Sequence, residues 1–179
     1  IAQENGVETL VEFFGHKTSE YVKKSYKKAD LVIGNNVYAH VPDINDFTKG
    51  IKNLLNDSGT VTLEFPSLLS LINEKQFDTI YHEHFSYLSL TSVQNIFKTH
   101  GLRVWQVENL LTHGGSLRIY GCHDEATIKT DDSVLDQINK EKRAGLQNID
   151  SYKNFQQVCQ TIKITFIEFL LKAKLENKK

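Results

Sequence analysis

The sequence predicts an α/β fold: part of a mostly parallel sheet with a final antiparallel strand, followed by helices. Three observations carry that prediction. LVIG (31–34) is a continuous apolar run, TVTLEF (60–65) is the next strand-like run, and a helical pattern separates them, as in parallel strands joined by a right-handed crossover. Two later runs, 102–111 and 117–122, flank THGGS, and a Gly-Gly turn between neighbouring strands makes an antiparallel hairpin. From Asp124 onwards the chain is polar, rich in Lys and Gln, and helical in period.

In chain order, IAQEN reads as the last turn of a helix stopped by Gly6. VETLV (7–11) predicts a short strand ending at Glu12, Phe13, Phe14 and Gly15. A helix is expected from about Ser19, with Glu20 in its first turn and lysines later, as the helix dipole favours. Lys23, Lys24, Lys27 and Lys28 form its solvated face. Asp30 leads into the LVIG strand, and NNVYAH (35–40) is the loop at its carboxyl end. Pro42 and Asp43 open a helix over about 44–56, with Asp43 as N-cap. Ile44, Phe47, Ile51, Leu54 and Leu55 make its inner face. DSG (57–59) reads as a turn, and Pro66 ends the strand that follows. Residues 67–75 predict a short helix. Ser89 or Thr91 starts another, which Gly101 closes. Trp105, on the next strand, reads as core. Beyond the hairpin, Val134, Leu135 and Ile138 form one apolar stripe. Val158, Ile162, Phe166, Phe169 and Leu170 form a second, giving two helices broken between Gly145 and Tyr152. The predicted division is 1–123 for the sheet portion and 124–179 for a helical segment leading to a further domain; a helical cap on this domain or a dimer arm fits the pattern equally well.

The balance of 21 Lys and Arg against 22 Asp and Glu argues against nucleic acid as a partner, which asks for a basic face. No apolar run reaches the roughly 18 residues of a membrane span, and no cationic apolar leader is present, so a cytoplasmic location is expected. Cys122 and Cys159 are too far apart for a metal or redox motif and read as reduced thiols. The chain contains no methionine and begins at Ile1, which predicts a piece of a longer protein.

The chemistry concentrates in DTIYHEHFSYLSL (78–90). Tyr81, His82, Glu83 and His84 sit side by side within an apolar, aromatic frame, where proton chemistry is tuned. In an extended strand His82 and His84 would share one face and Tyr81 and Glu83 the other, so either the segment is irregular or only a subset of the four is catalytic; an irregular loop is expected. Ligands in parallel sheets sit outside the carboxyl ends of the strands, so the loops 12–16, 35–41 and 65–67 are the ones to watch. His40 lies in the second of them. Two other readings of these histidines stay open: a metal site, since His-x-His chelates, and core histidines held by hydrogen bonds. Asn35 equally suits a turn cap, Phe13 equally suits core packing, and His113 to Ser116 equally suit a plain hairpin turn.

NNVYAHVPDINDFTKGIKNLLNDSGTVTLEFPSLL, then QFDTIYHEHFSYLSL, then LTHGGSLRIYG closely resemble the S-adenosylmethionine-dependent C-methyltransferases of nucleotide-linked keto-deoxysugars. The sugar C-3′-methyltransferases are the best described of these. The resemblance covers residues 1–122 closely and the following helices loosely. It implies a Rossmann-like class I methyltransferase sheet. It also implies that a zinc-binding N-terminal domain, the glycine-rich cofactor loop, an acidic ribose-binding residue and a C-terminal domain lie outside this chain. The piece alone is then expected to be inactive, and zinc is expected only in that N-terminal domain. No metal is expected here.

By the same resemblance, His84 is the general base that makes a sugar enolate. Tyr81 orients the keto-sugar, Glu83 is a carboxylate beside the base, and His40 is a second active-site histidine. Asn35, Asn36, Phe13 and Phe14 fall where S-adenosylmethionine is held. His113, Gly114 and Ser116 fall where the nucleotide-linked sugar lies. A different class of function, a non-catalytic α/β module that binds a partner through its C-terminal helices, stands as the alternative.

Overall fold

The structure is a computed structural model, and it describes residues 1–178. Four strands form one sheet in the order β1 (Ala29–Asn35), β2 (Leu55–Pro66), β4 (Ser116–His123), β3 (Leu102–Leu110). β1 and β2 pair in parallel, and β4 runs antiparallel to both β2 and β3. Three strands therefore share one direction and the last strand is reversed between two of them, as expected. The register sets Asn35 beside Glu64 and Pro66 beside Ser116, with Leu110 also beside Ser116. One rim of the sheet thus collects the carboxyl ends of β1, β2 and β3 and the turn into β4.

α2 (Ile44–Leu54) makes the crossover from β1 to β2. Asp43 caps it, its carboxylate accepting from the backbone N–H groups of Asn45 and Asp46. α1 (His16–Tyr26) lies against α2 at Gly50, where a Cβ would sit 2.7 Å from the Gly15 carbonyl carbon. Only glycine permits that approach. Ile51, Val61, Leu63, Phe65, Phe97, Leu117 and Ile119 fill the core. Tyr38 is buried among them, and burial pushes its phenol pKa far up even though the hydroxyl donates to Thr48 Oγ1 at 2.7 Å.

α3 (Leu68–Asn73) starts at Ser67, whose side chain caps it. α4 (Leu90–Thr99) starts at Ser89 through a reciprocal bond with Ser92, and α5 (Asp132–Arg143) packs on β3 and α4. α6 (Asp150–Lys153) and α7 (Phe155–Leu175) follow.

Several expectations change. Residues 7–11 form no strand, because among the described residues the outer edge of β1 has no partner, and a strand exists only by pairing. The Lys-rich helix begins at His16 rather than Ser19. The expected turn at 57–59 is absorbed into β2 as an irregularity, where Ala29 pairs with Leu55 and Leu31 already with Thr60. Among the described residues three helices, not two, follow the hairpin, because α6 occupies the break. Leu135 points outward while Gln137 and Glu141 are buried in its place. Trp105 is only half-buried, lying on an edge strand against Tyr120. Phe166, Phe169 and Leu170 on α7 are exposed. No helix among the described residues is long and apolar enough to cross a membrane, and Cys122 and Cys159 are free.

Candidate functional site

Residues 81–85 form an irregular loop, as expected, and of the four polar residues only Tyr81 and His84 line the cleft described below. The loop is held to the segment before α2 by its backbone: the N–H groups of Phe85 and Ser86 both donate to the Ala39 carbonyl, at 2.9 and 3.1 Å. That staple brings two distant histidines together. The rings of His40 and His84 lie 4.7 Å apart, centre to centre, and Tyr81 lies 4.6 Å from His84.

Each imidazole is oriented by a backbone carbonyl. His84 Nδ1 lies 2.7 Å from the Thr79 oxygen, and His40 Nδ1 lies 3.0 Å from the Glu83 oxygen. A carbonyl oxygen can only accept, so Nδ1 carries the proton in both rings. In the neutral ring Nε2 then holds the free lone pair, which is the state a general base requires. The second carbonyl comes from the loop itself, so the two rings and the loop fix one another.

His84 and Tyr81 line a cleft of about 560 Å³ together with Asn36, Asp78, His113 and Gly114. The cleft sits at the rim where β1, β2 and β3 end. His113 (φ +52°), Gly114 (φ +75°) and Gly115 (φ +118°) turn the chain into β4 with left-handed backbone. The Gln76 amide donates to the Gly114 carbonyl at 2.7 Å and holds that turn from the other side.

The expected residues separate clearly. His40, Tyr81 and His84 form one cluster; Tyr81 and His84 line the cleft with Asn36, His113 and Gly114, while His40 meets His84 without lining it. Glu83 is exposed and serves through its backbone carbonyl, while its carboxylate does not line the cleft. His82 is exposed beside Tyr81. Asn35 ends β1 beside Glu64. Ser116 is buried, its hydroxyl spent on the Thr112 carbonyl at 3.0 Å. Phe14 packs edge-on against Phe47 at 5.1 Å, and Phe13 is 98% exposed, away from the cleft. Among the described residues no group of three or more His, Cys, Asp and Glu is arranged for a metal ion.

Sequence reasoning missed Gln76, Asp78 and Glu64. Glu64 is buried at the end of β2, where it accepts from Arg118 Nη2 at 2.8 Å and from the Thr112 hydroxyl at 3.0 Å. Burial pushes its carboxyl pKa up, but the bonds from Arg118 and Thr112 outweigh that and leave it below the ordinary glutamate value. A signal existed: a lone carboxylate next to the end of an otherwise buried strand needs partners.

Comparison with known proteins agrees with the fold. Residues 3–107 match the family described as "Methyltransferase domain", and residues 111–179 match "C-methyltransferase C-terminal domain". Over 170 residues the chain is 33% identical to the C-methyltransferase NovU of Streptomyces niveus. The match takes in 95% of this chain and 40% of that protein, so the chain spans well under half the relative's length. A solved SAM-dependent methyltransferase from Anabaena variabilis is similar in fold, with TM-score 0.50 at 11% identity over 68% of this chain and 62% of that one.

Proposed function

The chain belongs to the S-adenosylmethionine-dependent C-methyltransferase family, and from that premise we propose that it carries the substrate half of an enzyme that methylates carbon next to a ketone. The proposed substrate is a nucleotide-linked keto-deoxysugar. The observation that supports this reading most is the His40–His84 pair, with each Nδ1 on a carbonyl and Tyr81 against His84 at the wall of the cleft.

In this reading His84 Nε2 takes the proton from the sugar carbon beside the ketone. The C–H electron pair becomes the enolate double bond, and the carbonyl oxygen takes the negative charge. The Tyr81 hydroxyl donates to that oxygen and lowers the cost of the charge. The Thr79 carbonyl favours the imidazolium that forms, because the Nδ1–H bond to it strengthens as the ring gains charge. His40 lies beside it, its Nδ1 held by the Glu83 carbonyl. S-adenosylmethionine, when bound, would supply an electrophilic methyl group, carried on a positively charged sulfur, to the enolate carbon. Asn36 fits a place beside it, since it lines the cleft at the end of β1, with Asn35 adjacent. Phe13 does not fit, being exposed and away from the cleft. His113 and Gly114 receive the sugar or its phosphates. The proposed place of action is the cytoplasm, with zinc confined to a domain outside this chain.

The test is methyl transfer by the full-length protein to a keto-deoxysugar nucleotide and to its reduced alcohol. The ketone is expected to gain a carbon-bound methyl and the alcohol none. Methylation of the alcohol on oxygen would refute the reading. The alternative, a non-catalytic module that binds through its C-terminal helices, is favoured by the exposed apolar residues of α7 and requires that neither compound react.

A further inference from the structure

Glu64 touches both walls of the cleft. Its backbone carbonyl accepts from the Asn36 N–H at 2.8 Å, which holds the chain leaving β1. Its side chain accepts from the Thr112 hydroxyl at 3.0 Å, which holds the turn carrying His113 and Gly114. Asn36, His113 and Gly114 all line the cleft that contains His84. The second carboxylate oxygen is engaged by Arg118 at 2.8 Å, and Arg118 also faces Glu108 at 3.6 Å. Glu64 is therefore a buried charge oriented by a cation on one side and used as an acceptor on the other.

Thr112 sits at the root of the turn. Its carbonyl accepts from the Gly115 N–H at 2.9 Å and from the Ser116 hydroxyl at 3.0 Å, so the turn closes on it. Its side chain is exposed and contributes nothing to the core. The hydroxyl's bond to Glu64 has one evident use, which is to fix where the turn stands relative to β2.

We infer that Glu64, acting through Thr112, is a positioning residue that sets the 112–114 turn for binding of the keto-sugar nucleotide. The inference rests on the substrate reading above. A bond to a charged acceptor contributes about tenfold in an equilibrium constant when lost. The loss should fall on sugar binding, because the bond serves that wall of the cleft.

The test uses the full-length protein carrying Thr112→Val, Thr112→Ser or Glu64→Gln. Thr112→Val keeps the shape and removes the donor; Thr112→Ser keeps the donor. For Thr112→Val the KM for the keto-sugar nucleotide is expected to rise about tenfold, with kcat and the KM for S-adenosylmethionine nearly unchanged and the thermal midpoint slightly lowered. Thr112→Ser should restore the sugar KM. Glu64→Gln should raise the sugar KM and also lower the thermal midpoint, since it breaks the ion pair to Arg118. A Thr112→Val protein with the wild-type sugar KM, or a Thr112→Ser protein as impaired as Thr112→Val, overturns the inference alone. A wild-type protein that leaves the keto-sugar untouched overturns the substrate reading and this inference with it.

Discussion

Replacing Glu141 by Ala should release the start of α4, the helix that follows the 81–85 loop in the chain. Glu141 is fully buried on α5. One carboxylate oxygen accepts from the Leu90 N–H at 2.7 Å, and the other from the Thr91 N–H at 2.9 Å and the Thr91 hydroxyl at 2.7 Å. The Gln137 amide adds a weaker bond at 3.3 Å. These are the free N–H groups of a helix N-terminus, which favours negative charge. Each buried N–H left without an acceptor costs about 1–3 kcal/mol, and the desolvation cost of the lost carboxylate is regained in part. The net loss works out at about 3 kcal/mol, a large share of a typical stability of about 5–15 kcal/mol. Glu141→Gln keeps one acceptor oxygen and should cost about half as much. Urea unfolding followed by far-UV circular dichroism measures both. A Glu141→Ala protein within about 0.5 kcal/mol of wild type, the range of an ordinary surface substitution, would refute the view that α5 anchors α4.

Two further outcomes follow from the turn and its support. Gly115→Ala should destabilise by about 1–3 kcal/mol, because its backbone is left-handed and a Cβ would lie 2.4 Å from Ser70 Oγ and 2.7 Å from Ser70 Cβ; thermal unfolding measures it, and an unchanged midpoint would contradict the packing described. The lowered carboxyl pKa of Glu64 predicts an acid limb: the folded protein binds that proton more weakly than the unfolded chain, so its contribution is full above the ordinary glutamate value of about 4.3. It is lost as pH falls through the lower folded value. Glu64→Gln should flatten the limb in urea titrations on either side of that pH, and an unaltered limb would contradict the pairing with Arg118.

Local signals in the sequence carried much of this molecule. Asp43 before an apolar helical face specified α2, and the Gly114–Gly115 pair specified the hairpin. The alternation rule applied to Tyr81, His82, Glu83 and His84 left an irregular loop or a partial set in the pocket; the loop is irregular, and only Tyr81 and His84 line the cleft. His40 was placed near the site because strand-end loops carry ligands, and its ring does meet His84. What was not legible depends on partners far along the chain. Residues 7–11 have strand composition but no neighbour. Leu135 fits a helical stripe, yet α5 turns Gln137 and Glu141 inward, because Glu141 serves a helix terminus about fifty residues earlier. Glu64 was readable as an anomaly, a charge in a buried strand, but its partners Thr112 and Arg118 emerge only from the antiparallel register of β2 and β4.

The proposed chemistry rests on the Nε2 lone pair of His84 removing a proton from the sugar. Solvent deuterium entering the keto-sugar, measured by NMR with no methyl donor added, reads that step by itself. The wild-type full-length protein should exchange the hydrogen beside the ketone. His84→Asn, which can still donate to the Thr79 carbonyl but offers no base, should slow exchange by about 10²–10⁴-fold. Exchange at the wild-type rate in a folded His84→Asn protein would contradict the claim.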